Sequence, residues 1–300
     1  MVTLGSGKNS FFDMVAAAGP SGDEATRLRA GILGTGIVSG GRLQGLEDAR
    51  EAVRSGFAAV DALLPAGGLR RGSLIEWLAT VAGEADAGDQ ASVGLGQGDL
   101  ESGAGAATLA FAVACRLAAA GTGPRTIVVV DRTEWFHPPA VLPWLTDARQ
   151  LVVARPAHDD DEIWAIDQAL RCSGVAAVVA WPRLRGQARQ RSHWTTALRR
   201  WQLAARSSGS VGLLVRPQAA ARDPSWAEAR IAVEPQPGGT LLERRLRLTR
   251  VGGGWIGSEQ KWSAEAVLDL ARGCEAVPQG GLRKPGQHTG WEGGASCRAS

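Results

Sequence analysis

Thr126-Ile-Val-Val-Val-Asp131 and Val175-Ala-Ala-Val-Val-Ala-Trp181 are short runs in which nearly every residue is apolar and many are β-branched. Runs of this kind are typical of strands that are buried on both faces of a parallel sheet. Helical patterns lie between such runs, at residues 106–120, 159–172 and 192–206. Strands that alternate with helices of this length predict βαβ units. The sequence therefore predicts the α/β fold class, with a mostly parallel sheet and flanking helices.

Other apolar runs predict further strands of the same sheet. They lie at residues 73–79, 150–155, 210–216, 229–234 and 244–250. No helical pattern separates the last two runs, so we expect them to add an antiparallel C-terminal edge. In the final run Leu246 and Leu248 are interleaved with arginines, namely Arg244, Arg245, Arg247 and Arg250. This arrangement is typical of an edge strand that charge protects against aggregation.

The composition is that of a globular chain with a hydrophobic core. Of its 300 residues, 44% are hydrophobic and 21% are charged, which excludes a wholly disordered chain, a collagen-like fibre and a small disulfide scaffold. The formal net charge of +3 is too small to indicate a partner. The cysteines stand far apart, which favours buried free thiols over a zinc site; they are Cys115, Cys172, Cys274 and Cys297.

The N-terminal region and the apolar runs indicate where in the cell the protein lies. Asp13 interrupts the apolar stretch that follows Lys8, which argues against a signal peptide. The best apolar run, at residues 106–115, is too short to span a bilayer. We therefore expect a cytoplasmic protein without membrane contact.

The chain divides into four predicted parts. Residues 1–26 lack periodicity and predict a disordered tail, and residues 27–54 predict a linker with a short helix at about 46–53. The alternating strands and helices occupy a domain at 55–256. Residues 257–300 form a C-terminal extension that is rich in Gly and polar residues, which predicts disorder from about residue 273.

A candidate ligand site lies in the loop that leads into the first helix, because ligands in such sheets bind beyond the carboxyl ends of the strands. That loop covers residues 80–106, where a phosphate-binding loop needs the pattern G-x-x-x-x-G-K-[ST]. Gly98 and Gly103 keep the glycine spacing, but Ala104 replaces the lysine and Gly105 replaces the hydroxyl residue. One charge about 4 Å from a phosphate is worth roughly 4 kcal/mol at an effective dielectric constant of about 20.

The same loop is acidic. It contains no Lys or Arg but carries Glu84, Asp86, Asp89, Asp99 and Glu101. These charges would repel a triphosphate more strongly than the amides of a helix N-terminus attract it. We therefore expect a degenerate phosphate loop and no cofactor. An arginine that reaches in from elsewhere is the alternative.

The metal position of nucleotide hydrolases is also altered. Such enzymes place an Asp at the end of a later apolar strand, whereas the run at 175–180 ends in Trp181, whose indole cannot bind a metal ion. Asp131 and Glu134 follow another strand, where a capped strand end with solvated acids is favoured over carboxylate chemistry. The four acids at 159–162 suit a helix N-terminus better than a metal site. The sequence thus predicts no metal site.

Three stretches carry a family resemblance. Ser55-Gly56-Phe-Ala-Ala-Val60-Asp61-Ala-Leu-Leu-Pro-Ala-Gly67-Gly68-Leu69-Arg-Arg-Gly72-Ser-Leu-Ile-Glu76 resembles the opening of a RecA-type core. Gln168-Ala-Leu-Arg-Cys-Ser-Gly174-Val-Ala-Ala-Val-Val is similar to the unit that carries the metal-binding Asp of RecA. The Ala180-Trp181 ending of that unit resembles the ImuA family, RecA/SulA-like accessory proteins of SOS mutagenesis. So does Leu198-Arg-Arg-Trp-Gln-Leu-Ala-Ala205 before the strand that ends at Pro217.

The resemblance covers residues 55–256 and implies a RecA-like P-loop NTPase core. Because the phosphate lysine, the hydroxyl residue and the metal Asp are all replaced, we expect a pseudo-ATPase rather than an enzyme. The family's role implies a non-hydrolytic adaptor in SOS-induced, error-prone translesion DNA synthesis. The implied partners are an ImuB-like pseudo-polymerase, an error-prone polymerase subunit and RecA. The alternatives are a DNA-dependent ATPase of the recombinase class with non-standard residues and a SulA-like cell-division inhibitor.

An arginine-rich stretch is the candidate DNA contact. It resembles the first DNA-contacting loop of a RecA-type core, so that its arginines would bind phosphates and Trp194 would stack on a base. These arginines are Arg183, Arg185, Arg189 and Arg191. The alternative is a solvated arginine face, with Trp194, Leu198 and Trp201 spaced as a core stripe. Trp135, beside a proline-rich loop, is the candidate partner contact, with core packing as its alternative, and Trp144 is expected to be packed.

Overall fold

The computed structural model describes residues 52–79, 105–120, 125–182, 188–238, 240–253 and 262–276, and of residues 188–193 it describes the backbone alone. The predicted tail at 1–26, the linker up to residue 51, the loop at 80–104 and the predicted disorder beyond residue 276 lie outside these ranges. The described residues confirm the α/β class. They form a large mixed sheet of mostly parallel strands with helices packed on both faces.

The α-helices of the described ranges are α1 (Ala58–Leu63), α2 (Ala106–Ala119), α3 (Asp159–Arg171) and α4 (Ala188–Ser208). The last three confirm the helices predicted from apolar periodicity. α3 has four acids in its first turn and Arg171 in its last, an order that suits the helix dipole. None of these helices is both long enough and apolar enough to cross a membrane.

The strands of the described ranges are β1 (Ala52–Val53), β2 (Leu69–Arg70), β3 (Leu74–Ala79), β4 (Thr126–Val130), β5 (Leu151–Ala154), β6 (Val175–Ala180), β7 (Val211–Pro217), β8 (Ala229–Pro235), β9 (Glu243–Gly252), β10 (Trp262–Asp269) and β11 (Cys274–Glu275). Seven strands, β3 to β9, follow the predicted runs closely, and β1, β2, β10 and β11 were not predicted. Within the described residues, β3 to β11 form one sheet in the order β11-β10-β9-β8-β3-β7-β6-β4-β5. The part from β8 to β5 is parallel, and β9, β10 and β11 add antiparallel pairs.

Two apolar layers enclose the parallel strands. Successive side chains of a strand point to opposite faces, so Ile75 and Trp77 of β3 join the core beneath α1 and α2. Leu74 joins the opposite core, beneath α3 and α4. β4 and β6 are buried at every position, which is why they read as continuous apolar runs in the sequence.

The predicted antiparallel pairing at the C-terminal end of the sheet is confirmed, since β8 and β9 pair antiparallel, while the other side of β8 pairs in parallel with β3. One strand assignment needs correction. β9 was expected to be an edge strand, but it lies between β8 and β10. β10 was not predicted. It pairs with β9 from Glu243 to Arg250 and so provides hydrogen-bond partners for the backbone of β9. The sheet therefore continues beyond residue 256, the predicted end of the main domain, to β11.

A buried hydrogen bond and a glycine turn hold the start of the opening motif at 55–76. Ser55 donates its backbone N–H to Asp61 Oδ1 at 2.9 Å, and both residues are buried. Gly56 has a φ of +83°, in the left-handed region that favours glycine. The short helix predicted at about 46–53 is wrong in its last two residues. Ala52 and Val53 pair with β2 because the chain returns antiparallel to itself after α1.

Candidate functional site

The carboxyl ends of the parallel strands define the candidate site. β3, β4, β6 and β7 run in the same direction, so their ends meet at one edge of the sheet. Gly105, which precedes α2, lies beside Leu246, and Leu246 pairs with Pro235 at the end of β8. The start of α2 therefore lies at this edge, which is where ligands bind in sheets of this type.

Gly105 is the described residue of the predicted phosphate loop; Gly98, Gly103 and Ala104 lie outside the described ranges. Gly105 has a φ of +82°. A Cβ built on it would lie 2.8 Å from Leu246 Cδ2 and 3.2 Å from Arg244 Cδ. Both the backbone conformation and the lack of space therefore favour glycine here. The turn into α2 therefore requires a glycine at the position where a phosphate-binding loop has its Ser or Thr.

Arg244 supplies a cation close to the start of α2. Its side chain is exposed, and its aliphatic part lies against Gly105. The backbone amides at the N-terminus of a helix attract anions, and a guanidinium group nearby would add to that attraction. The expectation of a site without cations considered the loop at 80–106 alone, whereas Arg244 is a cation that comes from β9.

Trp181 follows β6 at the position where nucleotide hydrolases carry a metal-binding Asp. It is 9% exposed, and its ring lies 6.1 Å from that of Phe136. Phe136 in turn packs 5.3 Å from Phe111 of α2. The end of the central strand is thus closed by a row of aromatic rings that belongs to the core. In the described part of the chain, no three His, Cys, Asp or Glu side chains come together as a potential metal site.

Asp131 ends β4 and is buried. Its Oδ2 accepts the backbone N–H of Phe136 at 2.8 Å, and its Oδ1 accepts that of Trp135 at 3.2 Å. Thr133 Oγ1 lies 3.2 Å from the same Oδ1. Glu134 is exposed, with a φ of 60°. Asp131 therefore caps the strand end as expected, but the expectation that it is solvated is wrong, because it is buried against the backbone groups that it binds and only Glu134 is exposed.

Two arginines flank this turn. Arg132 Nη2 lies 2.9 Å from Asp159 Oδ1, at the start of α3, and its Nε lies 3.5 Å from Glu162 Oε2. Arg155, which follows β5, donates from Nη2 to the Phe136 carbonyl at 3.1 Å. These contacts tie α3 and the Asp131 turn to the strand ends. Asp159 and Glu162 thus pair with Arg132, in addition to the helix-dipole role predicted for the four acids of this turn.

The candidate DNA contact is described in part. Arg183 and Arg185 lie outside the described ranges, and for Arg189 and Arg191 the backbone alone is described, in the first turn of α4.

Trp194 lies in the core, as in the alternative interpretation of that stretch. It is 4% exposed, with its ring 5.3 Å from Trp201 and the Arg216 guanidinium 5.0 Å over it. Trp194 cannot stack on a base without leaving the core.

The two tryptophans around the proline-rich loop differ. Trp144 is packed as expected, since its indole Nε1 donates to the Leu270 carbonyl at 3.0 Å. It also lies against Gly273, which leaves no room there for a Cβ. Trp135 is half-buried, so its side chain keeps an exposed part. Its role as a partner contact stays a prediction.

The sequence did not reveal a buried charge network on β3. Glu76 lies on β3, which runs between β7 and β8, and its side chain is fully buried. Its Oε1 accepts from Arg216 Nη1 at 3.1 Å and from Ser225 Oγ at 2.9 Å, and its Oε2 accepts from Arg230 Nε at 2.8 Å. Arg216 also pairs with Asp223 at 2.8 Å. Two carboxylates and two guanidinium groups therefore neutralise one another inside the fold.

The network fastens the connection between β7 and β8. Arg230 Nη1 donates to the carbonyls of Ala221 and Asp223 at 3.0 Å each, and its Nη2 donates to that of Ala220. These carbonyls belong to the 3-10 helix Gln218–Arg222 and to the residue that follows it. The signal that could have revealed the network is Glu76, the one acid within the apolar run at 73–79.

No protein-family model matches the chain, and no curated protein matches it. The resemblance to the ImuA family thus rests on the residues quoted above.

Proposed function

We propose that this chain is a cytoplasmic, non-hydrolytic adaptor with a RecA-like core that acts in SOS-induced, error-prone translesion DNA synthesis. Its partners are an ImuB-like pseudo-polymerase, an error-prone polymerase subunit and RecA. The proposal begins from the resemblance of the motifs at 55–76 and 168–181 to the ImuA family. The mostly parallel sheet with helices on both faces is the architecture that such a core requires.

Trp181 is the observation that carries the non-hydrolytic part of the proposal. It stands at the carboxyl end of a central strand and packs against Phe136 in the core. An Asp at this position would have to leave water and enter an aromatic cluster, and a carboxylate without a partner is costly to bury. Packing at this strand end therefore supports an adaptor that does not use the position for metal chemistry.

The experiment is affinity purification of the tagged full chain from cells with and without DNA damage. The proposal expects an ImuB-like pseudo-polymerase and a polymerase subunit to be recovered after damage. Recovery of a cell-division protein instead would favour the SulA-like alternative. If neither polymerase component is recovered from damaged cells that contain them, the proposed function is wrong.

Nucleotide binding is the second candidate, and the position of Arg244 beside Gly105 favours it. If ATP binds, a hundredfold excess over Kd raises the free energy of unfolding by about 2.7 kcal/mol. The adaptor proposal expects no such stabilisation in a thermal shift experiment with Mg²⁺ and ATP. If ATP stabilises the protein and Arg244→Ala abolishes that stabilisation, the nucleotide-binding alternative replaces the adaptor proposal.

DNA contact through Arg183, Arg185, Arg189 and Arg191 remains part of the proposal. If four arginines displace counterions from single-stranded DNA, log K falls with log salt concentration with a slope of about −2.8. Titration of a fluorescent oligothymidine at several salt concentrations measures this slope. A slope of zero would end the DNA-binding part and leave the protein contacts standing.

A further inference from the structure

Two arginines lie at the amino ends of the parallel strands, on the edge of the sheet opposite to the candidate site. Arg71 stands three residues before Leu74, the first residue of β3, and Arg125 stands directly before β4. Both side chains are half-buried. β7 and β6 separate β3 from β4, so at about 4.8 Å for each strand spacing the two arginines begin about 14 Å apart. Their guanidinium groups can meet only over the starts of β6 and β7.

Hydrogen bonds fix the position of the Arg125 guanidinium group. Its Nη2 donates to the Ser173 carbonyl at 2.8 Å and to the Val175 carbonyl at 3.4 Å. The Val175 carbonyl also accepts from Ser210 Oγ at 2.9 Å, and Ser210 directly precedes β7. The guanidinium group therefore lies at the start of β6, on the side that faces β7 and β3.

The Arg71 side chain approaches the same place from β3. Its chain segment is fixed beside β7, because the Ser73 carbonyl accepts the backbone N–H of Gly212 at 2.9 Å. Burial lowers the pKa of Arg125, and the positive charge of Arg71 lowers it further. A nearby like charge has this effect on a cation. The two guanidinium groups are thus neighbours above the strand starts that separate their backbones.

Neither group has a counter-ion in the part of the chain that the structure describes. Arg71 Nη1 is buried and has no hydrogen-bond partner there, and both hydrogen bonds of Arg125 go from Nη2 to neutral carbonyls. The preceding residue, Arg70, differs, since it lies 3.6 Å from the Glu228 carboxylate. Two neighbouring cations repel each other, and a buried donor without an acceptor costs free energy. An anion between Arg71 and Arg125 would remove both costs.

A phosphate group has the chemistry that such a pair binds. A guanidinium plane donates paired N–H bonds that match two oxygens of one phosphate. Two guanidinium groups also match its charge, because a phosphate monoester carries about −1.5 to −2 at pH 7. Since both arginines are only half-buried, solvent reaches them. Their partial removal from water strengthens the attraction to an anion.

We propose that Arg71 and Arg125 form a phosphate-binding site at the amino edge of the sheet, where the two guanidinium groups hold one phosphate group between them. The phosphate belongs to a small molecule or to a nucleic acid, and the two arginines bind it in the same way in both cases. This site goes beyond the proposed function, because it contains neither Arg244 nor the arginines at 183–191. Its failure would leave the adaptor proposal standing, since recovery of protein partners tests that proposal.

The first arm of the test measures binding of inorganic phosphate to the full chain. Isothermal titration calorimetry at pH 7 is run with sodium chloride added to keep the ionic strength constant. The wild type is expected to bind one phosphate ion per chain. Arg71→Gln and Arg125→Gln should each raise Kd about tenfold or more, because charge-assisted hydrogen bonds are among the strong ones. Arg71→Lys keeps the charge and loses the planar fork, so its Kd should lie between those of the wild type and Arg71→Gln.

Arg272→Gln is the matched control. Arg272 is exposed and lies 3.9 Å from Asp269. The next residue, Gly273, lies against Trp144, which follows β4, so Arg272 is at the opposite edge of the sheet. Its loss removes the same charge and should leave the Kd for phosphate unchanged. Arg71→Gln removes no hydrogen bond of Nη1, so it tests the site even if Arg125→Gln fails to fold.

The second arm identifies the source of the phosphate. Fluorescence anisotropy measures binding of a labelled oligothymidine with and without a 5′-phosphate. If Arg71→Gln weakens oligothymidine binding, the phosphate belongs to a nucleic acid, and a preference for the 5′-phosphorylated strand would identify its end. If Arg71→Gln weakens binding of inorganic phosphate alone, the phosphate belongs to a small molecule. Both outcomes support the site.

Three results would overturn the proposal. The first is that the wild type binds neither inorganic phosphate nor oligothymidine. The second is that wild type, Arg71→Gln and Arg125→Gln have the same Kd in both arms, or that Arg272→Gln loses as much affinity as they do. The third is that Arg244→Ala abolishes phosphate binding while Arg71→Gln leaves it unchanged, which would place the phosphate at the start of α2.

Discussion

Replacing Glu76 with glutamine would remove the charge at the centre of the buried network while keeping the shape of the side chain. The carboxylate accepts hydrogen bonds from Arg216, Ser225 and Arg230 at 2.8 to 3.1 Å. A glutamine has one oxygen to accept with, and its amide nitrogen would face a guanidinium group, which is also a donor. Arg216 would then keep the carboxylate of Asp223, whereas Arg230 would keep backbone carbonyls as its partners.

The expected loss follows from the cost of a buried charge without a partner. Breaking a buried ion pair by removing one member costs about 3–5 kcal/mol of unfolding free energy. For a domain of this size each kcal/mol shifts Tm by roughly 2–4 °C, so Glu76→Gln should lower Tm by roughly 6–20 °C. A second substitution, Arg230→Gln, should cost less in the Glu76→Gln background than in the wild type, because the two side chains contact each other.

Urea unfolding followed by the fluorescence of the tryptophans measures these free energies. Asp147→Asn is the matched control, since it removes a carboxylate from an exposed ion pair with Arg149. The control should leave the unfolding midpoint unchanged. If Glu76→Gln unfolds at the same urea concentration as the control, the network does not stabilise the fold and the reasoning is refuted.

Three other changes are expected to have measurable effects. Gly105→Ala should lower the free energy of unfolding by about 1–2 kcal/mol, because Gly105 has a positive φ. The loss should be larger than for the control Gly209→Ala, because Gly209 also has a φ of +82° but has nothing within 4 Å of a new Cβ. Equal losses in the two variants would mean that the contact with Leu246 is unimportant. Burial raises the pKa of Glu228, so the folded state keeps this proton to higher pH than the unfolded state, and stability should fall as pH rises above the ordinary glutamate value. Glu228→Gln should reduce that fall in urea titrations at several pH values, and an unchanged profile would contradict it. Burial also raises the pKa of Cys115 to about 12, so at pH 8 it is a buried, unreactive thiol in the native protein. Iodoacetamide should therefore label it in urea and not in the native protein, as peptide mapping by mass spectrometry would show. Labelling of the native protein would contradict this reasoning.

The sequence by itself determined the secondary structure of the parallel core. Apolar runs and helical periodicity are local properties, so they located β4, β6 and α2 to within a residue or two. The same patterns gave the α/β class, because strands that alternate with helices lead to parallel pairing. The capping role of Asp131 could also be predicted, since a lone acid at the end of an apolar strand is typical of a capped turn.

The tertiary structure alone decided which distant segments meet. Glu76 finds its partners 140 and 154 residues away in sequence, and Arg244 reaches Gly105 from another strand. Trp194 is buried because α4 lies flat on the sheet, although its place in an arginine-rich stretch also fitted an exposed surface. Such contacts depend on strand order and on the space between packed layers, which a local pattern does not encode. Chain periodicity thus specified the elements, while burial and pairing between remote segments decided where charges and aromatic rings come together.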